Sequence, residues 1–412
     1  MGIGNTLELP HNQAKFFRIT IFVLNNFQFH SMRSIPIFII LFFFTILSKG
    51  QSFEGLLNKI FTFTADQKLQ ALESYFSSGV SIPVIEGNTT VFFIYRGKAD
   101  SVFIAGDATG WAPLMPMKRI VGTDTWYCKT EYEADARLEY KIVVNKKDWI
   151  LDPLNKRIVT GGTGQNSEFL MPAYELPHDI NERDVVPWGT YSDTLIYSKY
   201  LGEDRPLRIY LPAGYQKGNA RYPVAYFHDG FEFFDRTAAR DIMDNMTYEK
   251  KIRPLIAVFI QPVHRDEEYS GRLQKKYTRF MTDELLSFMD QNYRTMAEPD
   301  GRAQIGISNG GNIALWLAAT HPEKTGKVAA FSSNVMNNIY KAFLKKGCKR
   351  QKIYLLLGKY DLPILIPMVR NLRKQLDDEG CNVSFHEYNE GHSWKYWQKY
   401  LPYALEYLFP VE

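Results

Sequence analysis

The chain has 412 residues, of which 49 are Lys or Arg and 45 are Asp or Glu, so its formal net charge is +4. Four basic residues and one acidic residue lie in the first fifty positions, which leaves residues 51–412 almost neutral. So small a basic excess does not favour nucleic acid as a partner. The hydrophobic fraction of 45% and the aromatic fraction of 15% exclude a disordered chain and are sufficient for a large core.

An apolar segment near the N-terminus has the pattern of a secretory signal peptide. Arg33 precedes an apolar run at 35–47, and the small residue Gly50 ends the segment. The run is shorter than the roughly 20 apolar residues that cross a membrane. We therefore expect residues 1–50 to be a leader, with Met32 as a candidate start. The mature chain is then secreted or periplasmic and has no membrane span. The alternative is an uncleaved anchor.

Export would place the chain in an oxidising compartment, where disulfides form. The three cysteines must therefore be examined for a pair that can be bridged. Cys348 and Cys381 each precede an apolar run that is typical of a strand. If those strands are parallel neighbours, the two sulfurs lie at the same end of the sheet and can be bridged. Two buried free thiols are the alternative, and Cys128 is left over in either case. No Cys/His spacing indicates a metal site, and we expect neither a metal nor a cofactor.

The N-terminal half predicts a helical segment followed by a small β domain. Thr64 and Gln67 have the spacing of a capping box, which places a helix within residues 51–85. Short β-rich runs at 91–95, 102–105, 126–130 and 138–144 recur about every ten residues, so residues 86–175 are predicted to form an immunoglobulin-like β-sandwich. Trp111, Trp126 and Trp149 in this region either stack on sugar rings or belong to the core.

Residues 176–192 contain Pro and charged residues typical of a linker, and beyond them the pattern alternates between strand and helix. Strands are predicted at 194–197, 207–211, 224–227, 255–260, 303–307, 328–331, 353–357 and 383–388. Helices are predicted at 237–250, 273–292, 309–320, 335–345, 364–379 and 394–408. This alternation indicates that residues 193–412 form an α/β domain with a mostly parallel sheet. Active residues of such a domain cluster beyond the carboxyl ends of the strands.

One candidate nucleophile lies at the end of a predicted strand. Gly306-Ile307-Ser308-Asn309-Gly310 joins the strand at 303–307 to the helix that follows. A serine on so sharp a strand-to-helix turn needs small residues two positions before and after it, because the backbone must bend tightly to expose the hydroxyl. Gly306 and Gly310 satisfy this requirement, and we predict that Ser308 is a nucleophile.

A serine hydroxyl needs a base, and the base needs a carboxylate to orient it. His392 follows the last predicted strand, whereas His228 and His264 precede Ser308 and break the Ser, Asp, His chain order of this architecture. Asp361 follows the penultimate strand and is the predicted carboxylate. Glu390 is the alternative.

Ester cleavage also needs backbone N–H groups that bind the developing oxyanion. Asn309, directly after the serine, is one predicted donor. The loop after the strand at 224–227 supplies the other, either Phe231 or Gly230, with Phe231 preferred. His228 in the same loop either contacts substrate or holds the loop through hydrogen bonds.

With these loops in place, residues 194–409 resemble the esterase family of α/β-hydrolases that includes enterochelin esterases, esterase D and feruloyl or acetylxylan esterases. The segments Arg265-Asp266-Glu267-Glu268-Tyr269 and Asp290-Gln291-Asn292-Tyr293-Arg294-Thr295 also match it. The N-terminal region, with its segment 149–155, looks like the sandwich that precedes the enterochelin-esterase catalytic domain. It is also similar to isoamylase-type glycogen-binding modules.

The resemblance implies carboxylic-ester hydrolysis by Ser308, Asp361 and His392, but it leaves the substrate open. A feruloyl or acetyl ester of a glycan needs an aromatic cleft, whereas a trianionic iron-catecholate triester needs a cationic one. The candidate substrate contacts are His228, Arg265, Tyr269 and Trp394. Candidates for a cationic pocket are Arg265, Arg272, Lys275 and Arg279. Acyl transfer to a sugar or lipid alcohol, and a catalytically silent glycan-binding protein, are the remaining alternatives.

Overall fold

The computed structural model describes residues 52–411 with the exception of 163, 178, 179 and 182. The predicted leader lies outside the described residues. Within the described part of the chain, no helix has the length and apolar character needed to cross a lipid bilayer.

Two helices open the described chain, α1 (Phe53–Ile60) and α2 (Ala65–Ser77). The predicted capping box is present, because the Thr64 N–H donates to Gln67 Oε1 at 2.9 Å and the Gln67 N–H donates to Thr64 Oγ1 at 3.4 Å. Leu56 and Ile60 of α1 are buried in one cluster with Phe92 of the following domain. The helical segment is therefore anchored to a β-sheet.

A β-sandwich follows, and its first strand begins at Val84, two residues before the predicted start of the β domain. Its strands are β1 (Val84–Glu86), β2 (Thr90–Arg96), β3 (Val102–Gly106), β4 (Met115–Pro116), β5 (Lys118–Arg119), β6 (Thr125–Glu131), β7 (Arg137–Val144), β8 (Asp148–Ile150), β9 (Ile158–Gly161) and β10 (Gly164–Leu170). One sheet has the order β1-β2-β6-β5, and the other has the order β4-β3-β7-β10-β9, with β8 paired to β7. Between them the rings of Phe93, Tyr140 and Phe169 pack edge to face.

The three tryptophans of this domain have mostly structural surroundings. Trp126 is buried, and the Trp111 indole donates to Asp107 Oδ1 at 3.0 Å. Trp149 is 42% exposed and is the one of the three that is open to solvent.

The C-terminal domain contains an eight-stranded sheet. Its strands are β11 (Thr190–Ser198), β12 (Glu203–Leu211), β13 (Val224–His228), β14 (Ile256–Ile260), β15 (Arg302–Ile307), β16 (Lys327–Phe331), β17 (Lys352–Tyr360) and β18 (Asn382–Gly391). The order is β11-β12-β14-β13-β15-β16-β17-β18, with β11 and β12 antiparallel and the other six parallel. The chain leaves β13 first toward β14 and then returns to β15 on its other side, so a topological switch point lies beside β13.

Helices cover both faces of this sheet. They are α3 (Gly230–Thr237), α4 (Ala239–Tyr248), α5 (Arg265–Tyr269), α6 (Gln274–Arg279), α7 (Leu286–Asn292), α8 (Ser308–Thr320), α9 (Asn337–Lys346), α10 (Leu365–Asp378) and α11 (Trp394–Leu408). Phe233, Met243 and Leu405 of α3, α4 and α11 share one core cluster, and helices α6 to α10 supply the clusters of the opposite face. The sequence therefore predicted the α/β class and all eight strands of this domain.

Two predicted helices differ in detail. The predicted helix at 237–250 is wrong in its start, because Ala238 has a left-handed backbone with φ of +54° and separates α3 from α4. The predicted helix at 273–292 is continuous, but a π-helical turn at Phe280–Leu285 joins α6 to α7.

Of the two alternatives for Cys348 and Cys381, a bridge or two free thiols, the structure contains the bridge. Cys348 lies four residues before β17 and Cys381 lies directly before β18, and the two are bonded with a Cα–Cα distance of 5.3 Å. Cys128 is buried in the sandwich as a free thiol. The bridge lies at the amino ends of these parallel strands, opposite the edge where a site is expected.

Candidate active site

Ser308 lies on the turn between β15 and α8, with a left-handed φ of +51°. The two predicted glycines are sterically required. A Cβ on Gly306 would overlap the carbonyl oxygen of Gly310, and a Cβ on Gly310 would lie 2.7 Å from Asp229 Oδ2. Ser308 remains partly exposed at the tip of the turn. The local sequence therefore forces the strained backbone that presents this hydroxyl.

His392 and Asp361 are brought together by the two strands that precede them. β17 and β18 are parallel neighbours, and His392 Nδ1 lies 2.7 Å from Asp361 Oδ1. The alternative carboxylate, Glu390, lies instead 3.9 Å from the side-chain nitrogens of both Arg137 and Lys399. Asp361 is thus the carboxylate that is paired with the histidine.

The surroundings of Asp361 favour its ionised form. Burial raises the pKa of Asp361, but His392, the Ser332 hydroxyl and the Leu362 N–H outweigh it and hold the pKa below its usual value. The Leu362 N–H donates to Asp361 Oδ1 at 2.7 Å. An ionised Asp361 favours the tautomer of His392 in which Nδ1 carries the proton and Nε2 is the acceptor.

Two residues beside this pair were not predicted. Ser332 follows β16, between the strands that carry Ser308 and Asp361, and its φ is +49°. Its Oγ accepts from the Trp397 indole at 2.9 Å, and the Trp397 ring contacts His392 edge-on with centroids 4.9 Å apart. The strand-end rule that singled out Ser308 and Asp361 applies equally to Ser332, and this signal could have identified it.

The predicted oxyanion donors lie at the N-termini of α8 and α3. Asn309 is in the first turn of α8, and Gly230 and Phe231 begin α3. First-turn N–H groups have no intrahelical acceptor. The Phe231 N–H faces Gln261 Oε1 at a long 3.4 Å, so both Gly230 and Phe231 remain candidates. Because Gly310 packs against Asp229, the two helix N-termini lie side by side.

The prediction that His228 and Tyr269 contact substrate is corrected by their complete burial. His228 Nδ1 lies 3.1 Å from the Tyr277 hydroxyl, and Nε2 lies 3.1 Å from Gln304 Oε1. Burial lowers the pKa of His228 to about 4, so its ring is neutral at physiological pH. The Tyr269 hydroxyl accepts from the Asp229 N–H at 2.9 Å. Both side chains hold the loop after β13, which is the second role considered for His228.

Arg265 lies at the rim of the site, but its charge is already matched by carboxylates. Its Nε and Nη2 donate to the two oxygens of Asp229 at 2.6 and 2.7 Å, and Nη1 lies 3.6 Å from Asp266 Oδ1. The side chain is 40% exposed. Its clearest role is to fix Asp229, the N-cap residue of α3, which has a φ of +57°.

A cleft of about 740 Å³ adjoins the predicted site. Strand β9 of the sandwich forms one wall, and α3 with Trp394 forms the other. The cleft contains Phe231, a candidate oxyanion donor, and Trp394, two residues after His392. A second cleft, of about 850 Å³, lies near Cys348 and contains none of the predicted site residues.

Comparison with known proteins agrees with this architecture. A family model described as "Putative esterase" matches residues 198–408. The uncharacterized protein YjcH of Bacillus subtilis is 25% identical over 233 residues, which are 53% of this chain and 97% of that protein. An endo-1,4-beta-xylanase/feruloyl esterase of Xylanibacter ruminicola is 29% identical over 166 residues, which are 37% of this chain and 22% of that protein.

Among solved structures, the ferric enterobactin esterase of Salmonella typhimurium is 21% identical, with a TM-score of 0.64 over 77% of this chain and 93% of that one. The enterobactin esterase of Shigella flexneri gives the same TM-score and identity over 82% of this chain and 97% of that one. At this identity the two structures show a shared fold that includes the N-terminal sandwich. The family match extends over just over half of the 412 residues and contains every predicted catalytic and oxyanion-binding residue, and this chain therefore belongs to the esterase family.

Proposed function

We propose that this protein is an exported serine carboxylic-ester hydrolase that forms an acyl-enzyme intermediate and acts on acyl esters of carbohydrates. One observation carries the proposal. A strained serine turn, a buried carboxylate and a histidine paired with it at 2.7 Å all follow strands of one parallel array. This set of groups is the one that activates a serine hydroxyl.

In the proposed mechanism, His392 Nε2 removes the proton of Ser308 as Oγ attacks the ester carbonyl carbon. Asp361 keeps the Nδ1 proton in place and stabilises the imidazolium that forms. The imidazolium then protonates the leaving alcohol, and the acyl group stays on Ser308. Water, deprotonated by the same imidazole, releases the acid and restores the serine.

Two backbone donors are proposed to stabilise the tetrahedral intermediates. The Asn309 N–H is the first, and the Phe231 or Gly230 N–H is the second. Both belong to helix N-termini, where unpaired N–H groups and the helix dipole favour negative charge. The contact between Gly310 and Asp229 supports their acting on one oxygen.

The charges around the cleft support an uncharged substrate. Glu232 and Asp235 of its wall are balanced by Arg236 and Lys395, and Asp235 is also paired with Arg208 at 3.1 Å. A trianionic iron-catecholate needs a surplus of positive charge, which this wall does not have.

The basic residues that are candidates for a cationic pocket are also largely paired with carboxylates. Arg272 lies 3.1 Å from Glu267, and Arg279 lies 3.5 Å from Asp283. Lys275 is exposed on the same helix as Arg279. Together with the pairing of Arg265, this arrangement favours a neutral glycan ester over a catecholate.

Aromatic groups in the cleft fit the same substrate class. Phe231 and Trp394 offer ring surface for a feruloyl group or a sugar, and Thr160 and Gln261 offer polar groups for hydroxyls. The similarity to a protein named endo-1,4-beta-xylanase/feruloyl esterase also supports a feruloyl ester as substrate. The disulfide between Cys348 and Cys381 supports export, because such bonds persist in oxidising compartments.

The test is hydrolysis of a panel of esters by the protein and by its Ser308→Ala variant. The panel contains a short aryl ester, a feruloylated and an acetylated oligosaccharide, and a catecholate triester. We expect turnover that depends on Ser308 and is fastest with a glycan ester. Faster hydrolysis of the catecholate triester than of the glycan esters would overturn the proposed substrate class. A folded protein that hydrolyses none of the esters would overturn the proposal that it is a hydrolase.

A further inference from the structure

The residues on either side of His392 are held by the β-sandwich. Glu390 pairs in register with Arg137 of β7, the point at which the two sheets meet. Gly391 packs so closely on the Asp107 carboxyl that a Cβ there would overlap it. Ser393 Oγ accepts a hydrogen bond from Arg137 Nη1 at 3.0 Å. Three neighbours of the predicted catalytic base are thus fixed from another domain.

Arg137 is itself rigidly placed. Only 3% of the residue is exposed, and its guanidinium donates to Glu139 at 3.1 Å and to Glu168 at 2.9 Å. Burial lowers the pKa of Arg137, but Glu139, Glu168 and Glu390 outweigh it and raise the pKa above its usual value. The side chain therefore remains charged, and its fork has a single orientation.

Ser393 transmits this position to the histidine. It is the N-cap of α11, where its Oγ also accepts from the Tyr396 N–H at 3.3 Å. The backbone of Ser393 is thereby fixed from two sides, directly after His392. A catalytic base that moves by about 1 Å can lose about a hundredfold in rate.

We propose that Arg137 is a positioning residue. It acts through Ser393 to hold the imidazole of His392 in the position where it can bond both Asp361 and Ser308. The proposal rests on the esterase function proposed above. It assigns to the sandwich a part in the reaction that does not depend on glycan binding. Asp107 supports the same turn through its contact with Gly391, and its Oδ2 accepts from the Glu139 N–H at 2.8 Å.

The kinetic test compares Ser393→Ala with Ser393→Thr, which keeps both the hydroxyl and the helix cap. On an aryl ester we expect Ser393→Ala to lower kcat by about 10- to 100-fold with KM within about twofold, and Ser393→Thr to restore most of the rate. Arg137→Lys, which keeps the charge but not the fork, should also lower kcat. Arg119→Lys is the matched control, because it makes the same change at an arginine that lies in the other sheet of the sandwich and is half exposed.

A spectroscopic readout separates this proposal from the proposed function. The Nδ1 proton of His392, in its hydrogen bond to Asp361, is expected to give a low-field proton resonance that is assigned by its loss in His392→Gln. We expect this resonance to shift or broaden in Ser393→Ala and to return in Ser393→Thr, whether or not any ester is hydrolysed.

The two readouts also define how the proposal fails. If Ser393→Ala and Arg137→Lys keep kcat within twofold of the unsubstituted protein while Ser308→Ala is inactive, the positioning role is overturned and the esterase stands. An unchanged resonance in Ser393→Ala overturns the positioning role by itself. Absence of any Ser308-dependent turnover refutes the proposed function and leaves the resonance to decide the positioning.

Discussion

At the scale of single residues, the site depends on which carboxylate faces the histidine. Asp361 and Glu390 both lie within two residues of the last strand ends, and both are buried. The difference lies in their partners, since Asp361 bonds His392 whereas Glu390 faces Arg137 and Lys399. Beside this pair, the Trp397 indole donates to the Ser332 hydroxyl at 2.9 Å, and that hydroxyl helps to lower the pKa of Asp361.

Matched amide substitutions test this assignment. We expect Asp361→Asn to lower kcat on an aryl ester by about 10³- to 10⁴-fold, because the amide favours the wrong tautomer of His392. Glu390→Gln should cost less than about tenfold, since it acts on the turn rather than on the imidazole. A larger loss in Glu390→Gln than in Asp361→Asn would show that the wrong carboxylate has been assigned.

At the scale of elements, the parallel strands β15 to β18 hold the predicted catalytic residues at one end and the disulfide at the other. Ser308, Asp361 and His392 follow the carboxyl ends of strands, and the Cys348–Cys381 bridge joins the segments that precede β17 and β18. The bridge closes a loop with a sequence separation of 33 residues. Such a loop restricts the unfolded chain without touching the site.

Removal of the bridge should therefore reduce stability and spare catalysis. We expect the double variant Cys348→Ala/Cys381→Ala to lose about 3 to 4 kcal/mol of unfolding free energy, as the loop length indicates. Urea unfolding followed by circular dichroism measures the loss, and kcat at a temperature where the variant is folded should match that of the unsubstituted protein. A large fall in kcat with an intact fold would contradict the separation.

At the scale of the whole molecule, a buried charge network joins the sandwich to the α/β domain. Arg137, Glu139 and Glu168 contribute from the sandwich, and Glu390 and Lys399 contribute from the other side. Burial raises the pKa of Glu390 to about 7, although Arg137 and Lys399 lower it. Residues 51–412 form one compact unit, in agreement with such a shared network.

The raised pKa of Glu390 predicts a specific pH dependence of stability. Between its ordinary pKa of 4.5 and about 7 the folded state holds a proton that the unfolded state releases, so stability falls as the pH rises through this range. Relative to the unsubstituted protein, Glu390→Gln should gain up to about 3 kcal/mol of unfolding free energy between about pH 4 and about pH 8. Denaturant titrations at both pH values measure it, and a difference that is independent of pH would contradict the expectation.

The sequence predicted the placement of the candidate residues at strand ends, but it did not predict the contacts between distant segments. Ser308, Asp361 and His392 could be placed at one edge of the sheet because parallel strands align their carboxyl ends, whatever the loops between them. The hydrogen bond from Arg137 to Ser393 joins residues that are 256 positions apart in the sequence, and no local sequence pattern indicates it. The break at Ala238 was missed because alanine gives no signal of a left-handed backbone.

The contact between Gly391 and Asp107 has a consequence for protein engineering. Family members that combine a sandwich with an esterase domain invite recombination at the linker, with one sandwich exchanged for another. In this chain the incoming sandwich would need a carboxylate in the place of Asp107, which packs against Gly391. It would also need an arginine in the place of Arg137, which donates to Ser393. The usable crossover points for this protein are therefore set by the turn around His392 rather than by the predicted linker at 176–192, whose last three residues belong to β11.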